Sequence, residues 1–96
     1  MGFWDKKTTP LESDLQSDII EFAHVRGWFC EKIESRSSRG MTDLFCLRRG
    51  RLVLIEAKQK DEEARPQQAK RHRELRAQGA EVHVVDDMED ARRILR

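Results

Sequence analysis

Hydrophobic positions along this chain alternate between two periods, and the changes of period mark its elements. From Leu11, apolar residues recur at Leu15, Ile19, Phe22 and Ala23, the three-and-four spacing of an amphipathic helix. Pro10 marks its start and the Arg26-Gly27 pair its end, because glycine adopts the left-handed conformation that follows a helix. Glu12 and Gln16 fall on the same stripe, so the first turns of this helix are expected to aim polar groups inward. Trp28 to Ile33 has the aromatic and β-branched content of a strand, Glu34 to Gly40 reads as a polar loop, and Met41 to Leu47 as a second strand. Arg48-Arg49-Gly50-Arg51 then turns the chain into Leu52, Val53, Leu54 and Ile55. Four apolar residues in a row predict a strand buried on both faces, paired with its predecessor as an antiparallel hairpin.

The remaining pattern predicts a crossover. Pro66 suits the first turn of a helix that stops at Gly79, with an inward stripe of Ala69, His72 and Leu75 or Arg76. Glu81 to Val85 follows as a short strand, and strand-helix-strand at this length implies a parallel, right-handed connection from the central strand. Met88 to Leu95 closes the chain as a short helix with Ala91, Ile94 and Leu95 inward. Residues 1–10 read as an irregular lead-in, with Phe3 and Trp4 apolar enough to dock on the domain or on another subunit. The 96 residues are expected to form one domain over 11–96, of mixed α/β class.

Composition changes this picture mainly through charge. Charged residues reach 39%, against 38% hydrophobic, while the formal net charge is only +1. That near-neutral total excludes a uniformly basic nucleic-acid binder and directs attention to the distribution. Between Ser35 and Arg51 stand five arginines, Arg36, Arg39, Arg48, Arg49 and Arg51, against Asp43 alone, whereas Asp86 to Asp90 holds four acids and no base. The first region is suited to phosphate contact, or is simply a solvated loop and turn. Cys30 and Cys46 lack CxxC spacing and are expected to be reduced packing residues. No apolar run reaches the length of a membrane span and the polar start lacks the apolar core of a signal peptide, so the expectation is an intracellular protein, cytoplasmic or nucleoid-associated.

Side chains alternate along a strand, so Glu56 and Lys58 emerge on one face and Ala57 on the other. Pairing across the Arg-Arg-Gly-Arg turn brings Asp43 to the level of Glu56. The inward polar set is then Glu12, Gln16, Asp43, Glu56, Lys58 and, from the start of the crossover helix, Gln68. Three converging carboxylates repel one another unless a cation sits among them, and carboxylate oxygens suit a hard ion such as Mg²⁺ or Mn²⁺. Lys58 beside such an ion fits the chemistry of phosphodiester hydrolysis. The plainer alternatives are a surface ion pair for Glu56 and Lys58 and a favourable first-turn acid for Glu12. His24, His72 and His83 lack metal-ligand spacing and read as surface or packing residues.

Gly40-Met41-Thr42-Asp43, a twelve-residue gap and then Glu56-Ala57-Lys58 resembles the PD-(D/E)XK nuclease signature. Glu12, Gly27-Trp28, the short hairpin turn, Pro66-Gln67-Gln68 and Gly79-Ala80-Glu81-Val82, in that order, are similar to the VRR-NUC branch, the virus-type replication and repair nucleases. The resemblance implies a restriction-endonuclease-like αβββαβ core with a mixed sheet flanked by helices. It implies a divalent metal, Mg²⁺ or Mn²⁺, held by Asp43, Glu56 and the Ala57 carbonyl, with Glu12 joining directly or through water. It also implies catalytic roles for Lys58 and Gln68, and a homodimer acting on branched DNA such as four-way (Holliday) junctions in repair. Spare apolar groups for a dimer would be Phe3, Trp4, Trp28 and Phe29. Thr42 departs from the family, whose members usually carry Pro before the aspartate. The alternative expectation is a non-catalytic nucleic-acid-binding or assembly module that kept the fold.

Overall fold

Two consecutive residues with positive φ, Arg49 (49°) and Gly50 (84°), close the hairpin at the centre of the molecule. A two-residue loop of this kind, with both residues left-handed, matches the twist of the strands it joins, and glycine adopts that conformation at no steric cost. The computed structural model describes residues 12–34, 41–60 and 62–96. The order is α1 (Glu12–Val25), β1 (Phe29–Lys32), β2 (Leu44–Arg48), β3 (Arg51–Ala57), α2 (Pro66–Ala77), β4 (Glu81–Val85) and α3 (Met88–Ile94). The four strands form one mixed sheet in the order β1-β2-β3-β4, antiparallel except for the β3–β4 pair, which is parallel as the crossover requires.

One sheet face carries the core. Cys30, Leu44, Cys46, Val53, Ile55, Ala57 and Val85 pack against Leu15, Ile19 and Ala23 of α1, with Ala91 of α3 and Leu95 just beyond it. Trp28 is buried with them and donates its indole N–H to the Leu95 carbonyl at 3.2 Å, tying the start of β1 to the chain's last turn. It is therefore a core residue and not the spare dimer surface expected of it. Phe3 and Trp4 lie outside the described residues.

The opposite face is covered by α2 only toward β4. Phe29, Leu47 and Leu52 stand opposite one another across β1, β2 and β3, and they are 55%, 40% and 44% exposed. The expectation that Leu52 to Ile55 is buried on both faces thus holds from Val53 onward and fails at Leu52, because α2 does not reach the hairpin end. Among the described residues, no helix is long and apolar enough to cross a membrane.

Candidate active site

β3 is buried from Val53 through Ala57, and its end places a carboxylate under α2. Glu56 is 2% exposed and its two oxygens meet different partners. Oε2 accepts a hydrogen bond from Gln68 Nε2 at 3.0 Å and lies 3.6 Å from Lys58 Nζ. Oε1 has no hydrogen-bond partner and lies 3.9 Å from His72 Nε2, which also lacks one. Gln68 and His72 are four residues apart on α2, so one helix face presents both to the same carboxylate.

Asp43 comes from the residue before β2. The register pairs Leu44 with Ile55, and the Asp43 N–H donates to the Ile55 carbonyl at 3.0 Å, which carries the ladder one step further to Glu56. Its carbonyl accepts from the Ile33 N–H at 2.7 Å, and its Oδ2 accepts from the Ala57 N–H at 2.9 Å. Asp43 is thus held from both sides, and its charge bears on Glu56. Thr42 is buried with its hydroxyl unpartnered, at the position where the resembled family carries proline.

Electrostatics follow from this crowding. Burial, and then the charge of Asp43, push the Glu56 carboxyl up to about 8, with Lys58 opposing the shift. Without a cation, this environment favours the protonated form of Glu56. His72 is pushed below the ordinary imidazole range, first by burial and then by Arg76 and Lys58, which favours the neutral ring.

Glu12 stands at the rim. Its carboxyl is raised chiefly by a hydrogen bond with Glu62, and it feels Lys58 and Asp43 through space. The carboxylate oxygens of Glu12, Asp43 and Glu56 do not converge within 4.8 Å as a trio. Among the described residues, Asp86, Asp87 and Asp90 do, and their oxygens form an acidic group able to take a metal ion. That group follows β4 at the sheet end where Ala57 pairs with Val85. It also serves the fold: Asp87 caps α3 by accepting from the Asp90 N–H at 3.0 Å and pairs with Lys60 at 3.3 Å, while Asp90 pairs with Arg93.

The arginines are dispersed. Arg36 and Arg39 lie outside the described residues. Arg48 donates to the carbonyls of Arg26 (3.0 Å) and Arg96 and stacks over Trp28 at 4.5 Å. Arg51 makes a two-pronged pair with Glu81 at 3.0 and 2.7 Å, holding the Glu81 carboxyl down at about 2. Both are engaged within the chain. Arg49 is exposed, with no ion-pair partner among the described residues. Arg51 precedes Glu56 by five residues on one strand, so the basic turn sits ~17 Å from the carboxylates at about 3.3 Å per residue.

Two residues of the site escaped sequence reasoning. Glu62 lies in the charged stretch between β3 and α2, yet it bonds Glu12 and pairs reciprocally with Gln59; no periodicity marks it. His72 was placed on an inward stripe without a role, although its four-residue spacing from Gln68 carried the signal. Gln16 is buried, as its stripe predicted.

No family model matches the chain, and no curated protein does. A solved structure described as a VRR_NUC domain superposes with a TM-score of 0.80, covering 88% of this chain and 92% of the other at 26% identity. The chain has a VRR-NUC fold. This likeness supports the VRR-NUC family to which the Asp43, Glu56-Ala57-Lys58 and Gln68 pattern pointed. The mixed four-stranded sheet with its three helices matches a nuclease-like core.

Proposed function

We propose that the chain is a metal-dependent, structure-selective DNA endonuclease that hydrolyses phosphodiester bonds in branched DNA such as four-way junctions. It acts through a single nuclease domain over residues 11–96. The observation that carries this reading is the meeting of Asp43, Glu56 and Lys58 at one sheet end, with Gln68 on Glu56. A buried carboxylate raised to about 8, with one oxygen unpartnered, is short of a positive charge that Lys58 at 3.6 Å does not fully supply.

The donor set fits a hard cation, since every candidate ligand atom is oxygen. Asp43, Glu56 and the Ala57 carbonyl would hold Mg²⁺ or Mn²⁺, with Glu12 joining from the rim, directly or through water. When bound, the ion supplies Lewis-acid polarisation of the phosphate and charge neutralisation. The chain's own groups do the rest. Lys58 orients the attacking water and offers positive charge where the phosphoryl group gains negative charge. Gln68 fixes the Glu56 rotamer, and the Ala57 N–H fixes that of Asp43. Arg49 contacts DNA away from the cut, because the turn bearing it is far from the carboxylates, and Arg36 and Arg39 are DNA contacts as well. The exposed row of Phe29, Leu47 and Leu52 supports a homodimer, which would present two sites to a two-fold substrate.

The test is cleavage of fork, flap and four-way-junction DNA with Mg²⁺ or Mn²⁺. Asp43→Ala and Lys58→Ala are each expected to lower the rate by at least a hundredfold, the scale of losing an electrostatic catalytic group. Full activity in either variant would sink the reading. Salt-dependent junction binding without cleavage would replace it with a non-catalytic binding module.

A further inference from the structure

His72 is the most buried ionisable side chain facing Glu56, 1% exposed, and its Nε2 has no partner. An unpaired buried polar group is destabilising, and here two such atoms, His72 Nε2 and Glu56 Oε1, face each other at 3.9 Å. Gln68 and Lys58 both meet Oε2, which leaves Oε1 open toward His72 Nε2. The separation exceeds a hydrogen bond by less than one ångström, a distance a small rotation of either side chain closes.

We propose that His72 is a positioning residue for Glu56, donating its Nε2–H to Oε1 so that α2 grips the carboxylate at both oxygens, Gln68 on one and His72 on the other. The inference rests on the nuclease reading for its purpose, because a carboxylate gripped in this way offers its remaining lone pairs to a cation in one fixed direction. The groups facing His72 from the packed elements are Glu56 on β3, Lys58 just beyond it, Asp43 before β2, and Arg76 on α2 itself. The carboxylates among them favour the ring's N–H turned toward them.

The experiment measures Mn²⁺ binding by titration calorimetry, with folding followed by circular dichroism, for His72→Phe, His72→Gln and Asp43→Ala. His72→Phe is expected to weaken binding about tenfold to a hundredfold. His72→Gln, whose amide N–H reaches the same place, is expected to recover most of that loss. A folded His72→Phe that binds as the parent does, or a folded His72→Gln that recovers nothing, overturns the role. If Asp43→Ala also binds as the parent does, the nuclease reading itself has failed. If Asp43→Ala loses the ion and His72→Phe keeps it, only the His72 role has failed. A second measurement requires no metal and no His72 variant. In long-range ¹H–¹⁵N spectra of the metal-free protein, Glu56→Gln is expected to shift the His72 Nε2 resonance while leaving Nδ1 nearly in place. An unmoved Nε2 overturns the pairing.

Discussion

Glu56 is a carboxyl group whose environment favours its neutral form, and stability must follow. Its folded value of about 8 lies above the ordinary 4.5, mainly because of burial and then because of Asp43. Below pH 4.5 the group is neutral in both folded and unfolded chains and its environment costs nothing. Between pH 4.5 and about 8 the unfolded chain releases the proton while the folded chain retains it, so stability falls as pH rises. Melting of the metal-free protein is therefore expected to drop from pH 5 to pH 8. Glu56→Gln, isosteric and uncharged, should flatten that slope and melt at least about 5 °C higher at pH 8, the shift that ~1 kcal/mol gives in a domain of this size. A Gln variant that tracks the parent across the range would show that the strain lies elsewhere. The sequence located this residue from alternation alone, since Glu56 and Lys58 had to share a face. The partners of its second oxygen were not legible, because the approach of α2 to the sheet depends on packing and not on local pattern.

At the scale of elements, periodicity was sufficient wherever one face is buried and the other wet. The apolar stripe of α1, the two-residue turn of Arg49 and Gly50, and the parallel return of β4 all follow from spacing, and the structure places each within a few residues of expectation. The hairpin register that joins Asp43 to Glu56 was legible for the same reason: a two-residue loop leaves little freedom in which residues face each other. Coverage of the sheet was not. Leu52 reads as core in sequence and is exposed in the fold, because α2 has few apolar positions and settles over Glu56 and β4, leaving the hairpin end bare. Arg48 and Arg51 stand in a run suited to phosphate contact or to a solvated turn, and in the fold both stack on Trp28 and find partners within the chain; a run of arginines does not disclose which of them have internal acceptors.

For the whole molecule, charge and apolar surface are segregated along the strands. The carboxylates gather at one sheet end, Arg49 marks the other, and Phe29, Leu47 and Leu52 form an apolar row on the face that α2 leaves open. If that row is the dimer surface, Leu52→Glu should convert a dimer to a monomer in light scattering at micromolar concentration while leaving the circular dichroism spectrum unchanged. Burying a charge against a hydrophobic partner costs several kcal/mol, enough to move a dissociation constant by two or more decades. A dimer that survives the substitution does not use this row.

Cys30 and Cys46 face each other across β1 and β2 with sulfurs 2.8 Å apart, both reduced and buried against α1. A thiol reagent in solution cannot reach either sulfur until the sheet separates from that helix, so the rate of alkylation counts openings of the fold. Any ligand that binds only the closed form should slow that rate by the factor 1 + [L]/Kd. The pair is thus a native clock for occupancy at the far end of β3: Mg²⁺ or Mn²⁺ should lengthen the labelling half-time, with no DNA and no turnover required.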